Sequence, residues 1–218
     1  KLFLPVENIE VLSRFGSEDA GVVLDKLGGA AWQARKARVK KRIRDMAEQL
    51  IRIAAEREIE TLARVYPPEG VYEEFCARFP HEETEDQLQS ITDVFEDLST
   101  GRPMDRLICG DVGFGKTEVA LRAALIVAMQ GMQVAVVVPT TLLARQHFNQ
   151  FKDRFRNLPL KVRQLSRMVT GKEASEVRAA LASGACDVVV GTHALLAKTI
   201  SFSNLGLLVI DEEQHFGV

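Results

Sequence analysis

The sequence predicts an α/β fold built on a parallel sheet, with a long basic helix ahead of it. Three observations carry that expectation. From Arg106 onward, short apolar runs alternate with helix-forming segments. Runs such as Val134-Ala-Val-Val-Val138 are apolar throughout, as strands covered by helices on both faces are. Two of the runs end in residues suited to phosphate and cation chemistry, Gly110 to Thr117 after the first and Asp211-Glu212 after the last.

The 218 residues leave room for one medium domain with attachments, and 46% hydrophobic with 27% charged content is that of a globular chain. A net charge of −2 excludes a uniformly basic nucleic-acid binder but leaves space for a local basic stretch. Cys76, Cys109 and Cys186 stand far apart in no metal-like spacing, so buried thiols in a reducing compartment are expected. No apolar run is long enough to span a membrane, and no membrane partner is expected. The chain opens on Lys1 rather than Met, as a piece of a longer protein would.

Residues 1–15 alternate at Leu2, Leu4 and Val6 and again at Ile9 and Val11, which suggests the tail of a small β domain. Residues 16–66 are expected to form a polar loop, with a short turn at Val22–Leu27, and then a long helix from Ala30 to about Ala63. Val39, Ile43, Met46, Leu50 and Ile53 recur along that helix at steps of three and four. Its first half carries Arg35, Lys36, Arg38, Lys40, Lys41, Arg42 and Arg44, a surface for DNA or an acidic partner, or simply a solvated face. Tyr66-Pro-Pro-Glu-Gly70 stops the helix, so the main domain is placed at residues 67–218.

Within that domain Val71–Phe79 is expected as a short helix anchored by Tyr72, Phe75 and Phe79. Leu88–Leu98 is expected as an amphipathic helix, with Thr84 a suitable N-cap residue ahead of it. Strands are expected at Leu107–Cys109, Gln133–Val138, Lys161–Leu165, Asp187–Val190 and Leu207–Ile210. Helices are expected at Thr117–Gln130, Leu142–Phe155 and Gly171–Ser183, making right-handed crossovers between strands.

The chemistry centres on the pattern G-x-x-x-x-G-K-[ST], met by Gly110, Gly115, Lys116 and Thr117. Gly110, Gly113 and Gly115 allow a tight turn that brings bare N–H groups close to phosphate oxygens. The helix that follows offers unpaired N–H groups and a positive dipole end to the same anion. Lys116 would reach the β- and γ-phosphates, and Thr117 would place its hydroxyl on Mg²⁺. In the stretch Leu207 to Phe216, an apolar strand delivers two carboxylates. Asp211 suits Mg²⁺, directly or through water, and Glu212 suits activation of an attacking water. An acid pair after a strand is a weak signal alone. It becomes a strong one about a hundred residues beyond a phosphate loop in the same sheet.

From Phe79 onward the chain resembles the superfamily 2 helicases and translocases, whose second motif the order Asp-Glu-Glu-Gln matches. More narrowly, Gly-Asp-Val-Gly-Phe-Gly-Lys-Thr, Val-Pro-Thr-Thr-Leu-Leu-Ala, Gly-Thr-His-Ala-Leu-Leu and Asp-Glu-Glu-Gln-His-Phe-Gly-Val resemble the family of bacterial transcription-repair coupling factors. RecG-type branch-migration helicases are the nearest alternative. They usually carry Ser where Phe114 stands and have a shorter acidic motif. Lys-Leu-Phe-Leu-Pro-Val resembles the end of the coupling factors' RNA-polymerase-interacting β domain, and the basic helix resembles their linker helix.

The resemblance implies a RecA-like motor lobe that uses ATP and Mg²⁺. It implies that Gln87, with Thr84, reads adenine, that Phe79 packs by the base, and that His81 stands where a second aromatic is usual. It implies strand-phosphate contacts from Thr140 and Thr141 and another DNA contact from Thr192 and His193. Helix capping by the threonines and a structural hydrogen bond from His193 stay open beside these. His215 stands where the family usually has Arg. The implied function is the first lobe of a double-stranded DNA translocase of the bacterial cytoplasm. That translocase displaces stalled RNA polymerase and couples transcription to nucleotide excision repair. RNA polymerase and repair proteins would be met through other parts. A lobe of this kind without its second lobe is expected to bind ATP with little turnover. A nucleotide-switched adaptor is a further alternative. A small-molecule kinase lacks a visible acceptor-binding segment.

Overall fold

In the computed structural model residues 29–111 and 113–212 are described. The expected β tail, the turn at Val22–Leu27 and His215 lie outside them. The chain divides into two compact units, residues 1–56 and 57–218.

In the first unit the described structure is helix α1, Ala30–Ile59, whose last three residues pass into the second. Its stripe of Val39, Ile43, Met46 and Leu50 is exposed. The helix stops short of the expected Ala63. Beyond it the chain has no regular secondary structure, and two of its N–H groups find partners elsewhere. Leu62 N–H donates to Gly101 O at 2.7 Å and Val65 N–H to Leu98 O at 3.1 Å. These bonds replace the helical ones and tie the segment to the end of α3 (Glu85–Thr100).

The second unit continues with α2 (Val71–Ala77), α3, α4 (Lys116–Met129), β1 (Gln133–Val137), α5 (Thr141–Arg154) and β2 (Val162–Leu165). It ends with α6 (Gly171–Ser183), β3 (Val188–Gly191), a 3₁₀ turn at His193–Leu196 and β4 (Leu205–Ile210). The strands form one parallel sheet in the order β2-β3-β1-β4. Both faces of the central strands β1 and β3 are covered, as their apolar runs require, while Leu208 and Ile210 of β4 are exposed. Val134, Val136, Val188 and Val190 pack with α3, α4 and α5 residues such as Leu98, Leu125 and Phe151. Ala135, Val137 and Val189 face the other way, with Val177 and Leu181 of α6.

The expected strand Leu107–Cys109 is not formed. The backbone from Pro103 to Asp111 joins no ladder, and β4 is an edge strand of the described sheet. Its side chains are fixed differently. Arg106 pairs with Asp97 at 2.6 Å and Asp93 at 3.1 Å, while Leu107 is exposed. A three-residue run depends on pairing for its strand character, and none is supplied here. The thiols also depart from expectation in part. Cys186 is buried, and burial first, with the Asp187 charge, pushes its pKa up to about 12. Cys109, by contrast, is exposed.

Candidate nucleotide site

Parallel strands share one carboxyl end, and the register defines it. Val137 of β1 lies beside Gly191 of β3 and Ile210 of β4. Thr140, Thr192-His193 and Asp211 therefore leave the sheet at a common edge. Two backbone bonds lock that edge, Val138 N–H to Gly191 O and Asp211 N–H to Val137 O, both 2.9 Å.

The glycine loop enters the same region ahead of α4. Gly113 has φ 87° and Gly115 φ 72°, conformations that favour glycine. Gly115 is also a close approach, since a Cβ there would stand 2.6 Å from Gln87 Nε2. Lys116 curls over the loop and donates from Nζ to Asp111 O at 2.9 Å and to Gly110 O. Thr117 follows in the first turn of α4, where N–H groups lack helical partners.

Gln87 is tied to this loop. Its Nε2 donates to Phe114 O at 2.8 Å, and its Oε1 accepts from Thr84 N–H at 3.0 Å. Thr84 Oγ1 in turn accepts from Gln87 N–H at 3.3 Å, completing a capping box on α3. Both polar ends of Gln87 are thus engaged within the chain.

Asp211 and Glu212 close the site from β4. Asp211 Oδ2 accepts from His147 Nε2 at 2.9 Å and Oδ1 from Glu212 N–H at 3.1 Å. The hydrogen bond from His147 leads the effects that hold the Asp211 carboxyl below its usual range, against the opposing effect of burial. Glu212 has φ 55°, uncommon for a residue with a side chain. A cavity of about 490 Å³ joins these parts. Its walls include Gly113, Gly115, Lys116 and Thr117 on one side, and Asp211 and Glu212 on another. Phe79 and His81 line it as well, their rings edge to face at 5.5 Å.

The oxygen donors present, the Thr117 hydroxyl and the Asp211 carboxylate, suit Mg²⁺ held mainly by nucleotide phosphates and water. No cluster of three metal-ligating side chains exists among the described residues. The tight glycine turns leave the backbone approachable by phosphate.

The candidate DNA residues are divided. Thr140 caps α5, accepting from Leu143 N–H at 3.2 Å, and Thr141 begins the helix. Thr192 is 3% exposed, so of its pair only His193 presents a side chain to solvent. Three site residues carried no sequence signal. His147 and Arg154 lie on α5 and Glu118 on α4, and each meets partners on other elements.

The profile of DEAD/DEAH box helicases matches residues 84–218. Transcription-repair-coupling factors are similar over the whole chain. That of Rickettsia bellii is 55% identical, covering 20% of the relative. Those of Bacillus subtilis and Escherichia coli are 48% and 44% identical, each covered over 19% of its length. The chain thus spans about a fifth of the curated relatives it matches. A structure of RecG bound to a three-way DNA junction aligns with TM-score 0.70 and 36% identity, over 76% of this chain and 23% of that one. A hypothetical ATP-dependent RNA helicase from Sulfolobus tokodaii shares the fold with TM-score 0.52 and 24% identity, over 67% of this chain and 42% of its own. With its profile match running from the Thr84 cap through the glycine loop to the acid pair, the chain belongs to the DEAD/DEAH box helicase family.

Proposed function

We propose that this chain is the ATP-binding lobe of a double-stranded DNA translocase that displaces stalled RNA polymerase and couples transcription to nucleotide excision repair. The observation that carries the nucleotide reading is one cavity lined by both the glycine loop and the acid pair. Loop N–H groups and the start of α4 would hold the phosphates. Lys116 would leave its loop carbonyls to meet them. Thr117 and Asp211 would hold Mg²⁺, which supplies charge neutralisation across the phosphates. His147 orients the Asp211 carboxylate by donating to it. Glu212 would take the proton of the attacking water. Gln87 and Phe79 would meet the base, Gln87 exchanging an internal hydrogen bond for one to adenine.

The DNA reading is supported by Thr140, Thr141 and His193 at the same strand ends as Asp211, and by the named relatives. A RecG-type junction helicase is the second reading, favoured by the 36% identity to the junction-bound structure. A nucleotide-switched adaptor is the third.

Fluorescence anisotropy with a blunt duplex and a three-way junction, with Mg²⁺ and a non-hydrolysable ATP analogue, tests the proposal. We expect salt-sensitive duplex binding, weakened several-fold by Thr140→Ala or His193→Ala, with no preference for the junction. A strong junction preference would favour the second reading. Binding indifferent to both substitutions would contradict the assigned contacts.

A further inference from the structure

A buried charged cluster on the wall of the nucleotide cavity has no part in the chemistry above. Arg154, the last residue of α5, donates from Nη2 to Glu118 Oε1 at 2.7 Å. Arg122 donates from Nε to the same oxygen at 3.0 Å and pairs also with Glu83. Glu118 is 5% exposed and Arg122 3%, so these two balance one another out of water, with Arg154 and Glu83 partly exposed beside them. The cluster surrounds aromatic rings. The Arg154 guanidinium lies 4.1 Å from the Phe75 ring centroid and 5.7 Å from that of Phe79. Arg122 stands 5.8 Å from the Phe79 ring. Phe79 and Arg154 both line the cavity that holds the glycine loop.

We infer that Arg154 is a positioning residue for base recognition: held by Glu118, it fixes the Phe79 ring at the cavity wall and so sets the preference for a base-bearing nucleotide over bare triphosphate. The inference rests on the nucleotide reading above. Packing alone does not explain an arginine here. Its Nε is buried with no hydrogen-bond partner among the described residues, a cost that Met or Leu in the same space would not carry. What only the guanidinium supplies is a flat cation that attracts ring faces, together with a geometry fixed by two anchors. Those anchors are Glu118 and, at 3.4 Å, the Phe75 carbonyl. A ring so held presents its free side to the cavity without losing rotamer freedom on binding. Arg154 also ties that ring to α5, whose other end carries Thr140 and Thr141.

The test is competition of ATP and of inorganic tripolyphosphate, each with Mg²⁺, against a fluorescent ATP analogue on the chain. Thermal unfolding is followed for every variant. Arg154→Lys keeps the charge but loses the planar contact, and Arg154→Met keeps the bulk. In both, the preference for ATP over tripolyphosphate should fall by about three- to tenfold. Phe79→Leu, which leaves both arginines in place, should lose as much, and Phe79→Leu combined with Arg154→Lys should lose no more than either alone. Arg156→Lys, two residues on and paired among the described residues with Asp153, should keep the wild-type preference. Unchanged preference in Arg154→Lys or in Phe79→Leu overturns the inference, whatever happens to stability. An absence of Lys116-dependent ATP binding in the parent chain would instead remove the nucleotide reading itself.

Discussion

At the scale of single residues, Asp211 shows how a motif position gains its properties from an unmarked neighbour. Its carboxylate is acceptor to His147, which sits inside α5 and is 9% exposed. The motif made Asp211, Lys116 and Thr117 legible because phosphate chemistry constrains their spacing. His147, Glu118 and Arg154 were not legible, because their partners lie on other elements and no periodicity marks such pairs. The hydrogen bond has a pH consequence. Asp211 has a folded pKa below its ordinary value of 3.8. Its contribution is therefore fully present above that value and is lost as pH falls through the lower, folded one. Asp211→Asn should destabilise the nucleotide-free chain by about 2 kcal/mol at neutral pH. Urea unfolding should show the difference from wild type closing in acid below 3.8. A difference constant from neutral pH down to pH 2 would contradict this account.

At the scale of elements, apolar runs and caps were the reliable signals. Thr84, ahead of α3, makes the capping hydrogen bonds that its type and position suggested. Gly171–Ser183 forms the helix expected there, begun by a capping box at Thr170 and ended by Gly184 at φ 75°. Leu107–Cys109 failed because composition says that a run suits a strand, not that it will pair with the edge the sheet offers. Gln133 is the opposite case, a polar residue at the head of a buried strand. Its Nε2 donates to Leu181 O at 3.0 Å and Cys186 O at 2.9 Å. Its Oε1 accepts from Ser203 N–H at 2.7 Å and Asn204 N–H at 3.0 Å. One side chain thereby joins β1 to the end of α6 and to the approach to β4. Gln133→Ala removes four hydrogen bonds, two of them to carbonyls of the buried Leu181 and Cys186, and should cost about 3 kcal/mol in chemical denaturation. Gln133→Glu should be no better, since two backbone carbonyls would face a carboxylate. A loss below about 0.5 kcal/mol would show that other groups satisfy them.

At the scale of the molecule, the 57–218 unit gathers its candidate chemistry along one edge of a parallel sheet. The register explains why sequence could anticipate that edge. Once strands are parallel, every strand end lies on the same side, and Thr140, Thr192-His193 and Asp211 follow from chain order. Sequence could not give the sheet order, nor the way α5 reaches both Asp211 through His147 and the Phe79 ring through Arg154. Those depend on packing between elements distant in the chain. The described residues include no helix long and apolar enough to cross a membrane.

The central claim is that the glycine loop and the acid pair form one nucleotide site within this chain. It is tested most directly by equilibrium binding of a fluorescent ATP analogue with Mg²⁺, comparing the chain with its Lys116→Ala variant. Saturable binding is expected, weakened by the substitution at least about tenfold, in line with the loss of a charge-assisted contact to phosphate. Equal binding by both proteins, or none by either, would contradict the claim.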